Sequence, residues 1–289
     1  MTCRGASIRI DDCSLWVVER GPSEGFPLIV LHGGPGLDHH EFGDYLDPLT
    51  DHGIRLLLVD QRSQGRSQPT PEITWTLERM AQDVIMLALA LRLGRYAVLG
   101  HSYGAFVALQ NAVDYPGQAA ASIVSGGVPS VGFLEGVGAA LESFEPVELR
   151  ERVAGSWERE ATVGSSDDVV GLLHDQLPFH FRDPLDPRIE EYERRSAGAV
   201  CSPDVLRHFA TASYGGIDVE DRLPDVTQPM LVLAGRHDRA CPVAASERTA
   251  ELLPDAELCV FEESAHMTFV EEPEAYLEVV RSFLASHRP

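Results

Sequence analysis

Short, wholly apolar runs of the kind buried on both faces of a parallel sheet recur along the first half of the chain, each ending in turn residues. Leu28-Ile29-Val30-Leu31 runs into Gly33-Gly34-Pro35-Gly36, and residues 55–59 end at Asp60. Tyr96-Ala97-Val98-Leu99 leads into a turn over 100–104, and 121–124 repeats the pattern. Between these runs the apolar spacing becomes helical, over 77–91 before Gly94 and over 105–113 before Pro116. Ile8-Arg9-Ile10 and residues 15–19 predict an opening hairpin. Strands alternating with amphipathic helices predict the α/β class, a mostly parallel sheet flanked by helices.

From residue 129 to about 222 the strand rhythm vanishes. Glu, Arg and Pro dominate there, and the apolar positions Val153 and Trp157, or Val169, Leu172 and Leu173, have helical spacing. Strand-like runs return at 230–234 and 258–261, and a closing helix is expected over 273–284. The expectation is one α/β core, residues 1–128 and 223–289, interrupted by a helical cap over 129–222. A chain of 289 residues has room for such a domain and insertion.

Charge narrows the partners. The chain carries 45 acidic and 23 basic side chains, a formal net charge of −22. Such a surface repels phosphate backbones and anionic lipid, which argues against nucleic acid and membrane partners. Every basic residue is Arg, so no mechanism with a catalytic lysine is available. Cys3, Cys13, Cys201, Cys241 and Cys259 are odd in number and widely spaced, the usage of a reducing compartment. The N-terminus, Met1-Thr2-Cys3-Arg4, leads into a polar strand pattern without a signal-peptide core, and the longest apolar run, 84–91, is too short for a bilayer. These features predict a soluble, cytoplasmic protein.

The chemistry starts at Gly100-His101-Ser102-Tyr103-Gly104, a G-x-S-x-G pattern between an apolar strand and an apolar helix. A sharp strand-to-helix turn crowds the serine backbone, so its near neighbours must lack side chains. The turn lifts the hydroxyl above the sheet edge and aims a helix N-terminus at developing negative charge. Ser102 is therefore the candidate nucleophile, and it needs a base. Fold order Ser, acid, His selects Asp238 in Gly235-Arg236-His237-Asp238, after the strand at 230–234. It selects His266 in Ser264-Ala265-His266-Met267, after the strand at 258–261. Both lie at carboxyl ends of strands, where open α/β sheets carry their sites. His237 is the rival base; Asp218, Asp221 and Asp225 are rival acids. Glu262, Glu263, Glu271 and Glu272 are expected to cap helices or face solvent.

Acyl transfer also needs backbone donors for the tetrahedral oxygen. The amide of Tyr103 is one candidate and that of Gly34, in His32-Gly33-Gly34-Pro35-Gly36, the other. His32 is expected to brace this loop. Asp38-His39-His40-Glu41 has metal-ligand residue types without matching partners, so a loop near the site mouth is expected and no metal site. Cys241 is expected to be a buried thiol. Phe144, Trp157, Phe179 and Phe181 can line the cap or form its own core.

With H-G-G-P-G, Asp60-Gln61-Arg62-Ser63-Gln64-Gly65-Arg66-Ser67, the G-H-S-Y-G elbow, G-R-H-D and S-A-H-M in place, the chain resembles the proline iminopeptidase (prolyl aminopeptidase) family of α/β-hydrolases. The first two motifs are the more specific; the others are shared by many hydrolases. The resemblance implies the α/β-hydrolase fold with a helical cap, a Ser102–His266–Asp238 triad, no metal or cofactor, and release of an N-terminal residue, typically proline, from short peptides. It also implies that cap and rim glutamates hold the free α-amino group. Glu190, Glu191, Glu193 and Glu220 are the cap candidates, with Glu193 favoured. Two departures stand out: Ser63 replaces the usual glycine of the second motif, and Arg239 follows the acid where some relatives carry glutamate. An arginine there suits a carboxylate-bearing substrate, so Arg239 is a second expected substrate contact. The alternative is an esterase or lactonase acting on a small acyl compound with the same triad, since the pocket decides function. A non-catalytic binding protein on the same scaffold is the third reading, and the complete triad argues against it. The expected partner is a small molecule or short peptide; the oligomeric state is not legible.

Overall fold

The computed structural model describes residues 3–288; Met1, Thr2, Pro289 and the side chain of Cys3 lie outside that description, and with them the reading of the extreme N-terminus. The opening hairpin is β1, Cys3–Arg9, against β2, Ser14–Arg20. The apolar runs become β3, Phe26–Leu31, β4, Ile54–Asp60, β5, Ala97–His101, β6, Ala121–Ser125, β7, Met230–Gly235, and β8, Ala256–Phe261. They form one eight-stranded sheet in the order β1-β2-β4-β3-β5-β6-β7-β8. Pairing is antiparallel from β1 to β4 through β2, and parallel across the rest.

Alternation along β3 explains why its run is continuous. Ile29 and Leu31 pack on one side with α1, Leu77–Ala90, and α2, Tyr103–Asp114, while Leu28 and Val30 pack on the other side with the C-terminal helix. Strand order reverses at β3, whose neighbours are β4 and β5, so a crevice opens beyond the carboxyl ends of β3 and β5. The H-G-G-P-G loop and the elbow leave the sheet at that crevice.

Between β6 and β7 the chain is helical: α3, Val137–Glu142, α4, Val147–Arg159, α5, Ser166–His180, α6, Arg188–Arg195, and α7, Pro203–Thr211. Its entry and exit are tied by a Ser130–Asp218 bridge, with the Val131 amide on Ile217 O (2.9 Å) and the Val219 amide on Pro129 O (2.9 Å). The chain ends with α8, Val243–Leu252, α9, Thr268–Glu271, and α10, Pro273–His287. Among the described residues no helix is long and apolar enough to cross a membrane.

The Asp60–Ser67 motif is a folding device. Arg62 is wholly buried, with Nε and Nη2 on the Asp83 carboxylate (both 2.7 Å) and its outer nitrogens on Asp12 (2.8 and 3.2 Å). Gln64 Oε1 accepts the Gly36 amide at 2.6 Å, which fastens the motif to the end of the H-G-G-P-G loop.

Candidate active site

β5 ends at His101 and α2 begins at Tyr103, so Ser102 alone makes the turn, at φ 54° and ψ −119°. The two flanking glycines are steric necessities. A Cβ on Gly100 would lie 2.0 Å from Gly104 O, and one on Gly104 would lie 2.2 Å from Leu31 O. The Ser102 amide donates to Ser125 O of β6 (2.9 Å), which anchors the turn to the sheet. Its hydroxyl is left at the N-terminus of α2, whose first amides have no partner within the helix.

Asp238 and His266 leave β7 and β8, neighbouring parallel strands, and meet beyond the sheet edge. His266 Nδ1 lies 2.7 Å from Asp238 Oδ2. The other carboxylate oxygen, Oδ1, accepts the amides of Ala240 (2.9 Å) and Cys241 (2.8 Å), so the loop fixes the acid before the imidazole uses it. The Asp238 side chain is wholly buried, and that of His266 nearly so. The rivals fall away on placement: His237, Asp218, Asp221 and Asp225 are exposed. Cys241 is buried, which pushes its thiol well above the ordinary range. His32 braces its loop, with Nε2 accepting the Gln61 amide at 3.2 Å and Gln61 Nε2 donating to His32 O at 2.7 Å.

Ser102 and His266 line one cavity of about 570 Å³, roofed by the helices between β6 and β7. Gly34 and Tyr103 line it beside them, and Leu134, Leu141, Trp157 and Leu177 supply apolar wall. Of the four aromatic residues, Trp157 faces the cavity. Phe144 and Phe179 pack with Leu141 and Val153 in the cap's own core, and Phe181 joins the core beneath the sheet. His180, at the end of α5, also lines the cavity, its ring centroid 5.1 Å from that of His266. Burial and the neighbouring His266, His101 and Arg239 hold it well below the usual histidine range. Its carbonyl accepts the His266 amide at 2.9 Å.

The structure adds detail to four expectations. Arg239 is not among the residues lining the cavity; its guanidinium donates to the carbonyls of Phe179 (3.2 Å), Phe181 (2.6 Å) and Arg182 (3.1 Å), tying the cap to the acid loop. Glu193 does line the cavity, but it pairs with His174 Nδ1 at 2.5 Å and is not a free anion there. The Asp38–Glu41 segment, expected as a loop near the site mouth, does reach the cavity, with Asp38 and Glu41 among its lining residues. Asp38 and Glu41 are buried, and the ligand atoms that Asp38, His39 and His40 bring within 4.8 Å of one another are engaged with each other, Asp60 and Arg66. Finally, Glu271 neither caps nor faces solvent: it is buried, accepting the amides of Ala265 and Arg182 (both 2.8 Å).

One cavity carboxylate was missed. Glu160 follows α4, is 6 % exposed, and accepts from Tyr214 OH (2.5 Å) and Gln176 Nε2 (2.7 Å). Among the described residues no Arg or His pairs with it. Burial pushes its pKa up, against the two hydrogen bonds. In sequence it sits in Trp157-Glu158-Arg159-Glu160, which reads as a solvated helix face, and no one-dimensional signal separates it from its neighbours. The other candidates do not compete: Glu190 and Glu191 are exposed, and Glu220 pairs with Arg248 at 2.9 Å.

The family model described as alpha/beta hydrolase fold matches residues 27–273. The chain is 28 % identical over 270 residues to a proline iminopeptidase of Heyndrickxia coagulans, covering 91 % of each. It is 29 % identical over 271 residues to one of Saccharolobus solfataricus, covering 89 % of this chain and 84 % of that one. Among solved structures, the proline iminopeptidase of Mycobacterium smegmatis superposes with a TM-score of 0.76 at 26 % identity, covering 98 % of both chains.

Proposed function

Because the chain belongs to the alpha/beta hydrolase fold family, we propose that it is a serine hydrolase of proline iminopeptidase type, releasing an N-terminal residue, with proline favoured, from small peptides. In this reading Ser102 Oγ attacks the scissile carbonyl while His266 takes its proton. Asp238 holds Nδ1 and steadies the imidazolium, and the amides of Gly34 and Tyr103 receive the oxyanion. Collapse of the tetrahedral intermediate passes the His266 proton to the leaving amine, and water then releases the acyl group by the same path. The similarity to proline iminopeptidases over nearly the whole chain supports the substrate class.

The observation that carries the peptidase reading is Glu160. A buried carboxylate without a cation, in the cavity that Ser102 and His266 line, is costly unless a substrate cation completes it. A free α-ammonium group is such a cation. Glu160, rather than Glu193 or Arg239, is therefore assigned to the substrate amine. The apolar wall favours a proline-like or other apolar side chain over a charged one.

A panel of aminoacyl arylamides tests this. The expected result is cleavage of unblocked prolyl arylamide, with KM raised about tenfold or more in Glu160→Gln. Turnover of short acyl esters, with none of any unblocked arylamide, would replace it by the esterase reading. That second reading draws on the apolar wall and on burial, which favours the uncharged form of Glu160 in the empty cavity. A cytoplasmic location belongs to the same proposal, supported by the free thiols of Cys13, Cys201, Cys241 and Cys259.

A further inference from the structure

Glu41 and His101 form a pair of buried side chains, 5 % and 1 % exposed, that the chemistry above leaves without a role. Glu41 Oε1 lies 3.0 Å from His101 Nδ1, and Oε2 accepts the Gly33 amide at 2.5 Å. On the far side of the ring, His101 Nε2 lies 3.2 Å from His266 O. With Glu41 ionised, carboxylate and carbonyl both only accept, so each ring nitrogen carries hydrogen and His101 is an imidazolium. Burial opposes charge on both groups, but each supplies the other's counter-ion. His101 is accordingly raised above the ordinary histidine value and Glu41 held below the ordinary carboxylate value, with the Gly33 amide adding to the latter.

The attachment points are the notable feature. Gly33 precedes Gly34, His101 precedes Ser102, and the third contact is the backbone of His266 itself. The pair thus joins the loops after β3, β5 and β8. The His266 backbone is held from both sides, its amide by His180 O and its carbonyl by His101. Phe269 packs edge-on against the His101 ring at 5.1 Å.

We propose that the Glu41–His101 ion pair is a positioning element, which sets the oxyanion donors, the nucleophile and the base at their working separations. It rests on the serine-hydrolase reading and acts through neighbouring residues, because the polar atoms of both side chains are already engaged. A misplacement of about 1 Å among reacting groups costs on the order of 100-fold in rate, and three independent loops have no other shared tie of this kind among the described residues.

The test uses the full chain carrying Glu41→Gln or His101→Gln. Its readout is the rate at which a fluorophosphonate inactivates Ser102, which needs nucleophile, base and oxyanion donors but no knowledge of the natural substrate. Both variants are expected to react about 10- to 100-fold more slowly at temperatures where they remain folded, and on a turned-over substrate kcat should fall while KM stays within about twofold. Folded variants that react at the wild-type rate would overturn the proposal. A wild-type chain inert to the reagent would remove the serine-hydrolase reading and this inference with it. Independently of any variant, nitrogen NMR of the wild-type protein at about pH 6.5 should find protons on both His101 ring nitrogens; a bare nitrogen there would overturn the ion pair.

Discussion

Asp238 presents one carboxylate oxygen to its own loop and the other to His266, so the carboxylate stays in place whether or not the imidazole is protonated. Asp238→Asn keeps the shape and removes the charge that favours the Nδ1–H tautomer. Turnover is expected to fall by about 10³-fold or more, with KM little changed; a loss below tenfold would mean that another acid orients His266. The convergence of Asp238 on His266, in the cavity that Ser102 lines, was legible in the sequence because motif and fold order leave few choices. The acidic residues were not. Glu41, Glu160, Glu193 and Glu271 look alike along the chain, yet Glu41 faces His101, Glu160 lines the cavity on two neutral hydrogen bonds, Glu193 meets a histidine and Glu271 brackets two amides. What a glutamate does follows from what surrounds it after folding, and that information is three-dimensional. Arg239 shows the same: proximity to Asp238 in sequence did not reveal that three carbonyls lie within its reach.

Among elements, the strands were read nearly in full because a run buried on both faces is apolar throughout, as in β3 and β7. α8 was invisible because its buried face is made of Ala245, Ser246 and Thr249, too small and polar to show a helical stripe. The Asp60–Ser67 motif was legible as a resemblance and opaque as physics. Its Arg62 is the buried cation that links the loop after β4 to α1 through Asp83. Arg62→Leu leaves buried Asp83 with only the longer Arg79 contact (3.3 Å) and is expected to cost at most about 3–5 kcal/mol in urea unfolding, with Arg62→Leu/Asp83→Leu recovering most of it. A loss under about 1 kcal/mol in the single variant would show that the pair is not what holds the loop. The loop before α9 offers a pH test. Burial raises Glu271 to about 7, against the amides of Arg182 and Ala265 and the charge of Arg188. Its folded pKa lies above the ordinary 4.5, so the folded state binds this proton more tightly. The stabilisation is complete below about pH 4.5 and is lost as pH rises through about 7, by at most about 3 kcal/mol. Glu271→Gln should flatten that part of the stability–pH curve; wild-type and variant curves running parallel would refute the assignment.

At the scale of the whole molecule, the sheet does the assembling. Reversal of strand order at β3 opens one crevice, and four loops after β3, β5, β7 and β8 deliver Gly34, Ser102, Asp238 and His266 to it. The helical insertion then roofs the crevice and is fastened to it by the His180 and Phe181 carbonyls, which bond to the His266 amide and the Arg239 guanidinium. The strand-like runs stop in the sequence where these helices lie, but the fastening depends on backbone groups that carry no residue signature. In the proposed function one serine, Ser102, is activated by His266 and Asp238, more than a hundred positions away in the chain. Fluorophosphonate treatment followed by peptide mapping addresses it directly. The adduct is predicted on Ser102, absent in Ser102→Ala and strongly slowed in His266→Ala. An adduct on any other residue, or equal labelling of the Ser102→Ala chain, would contradict it.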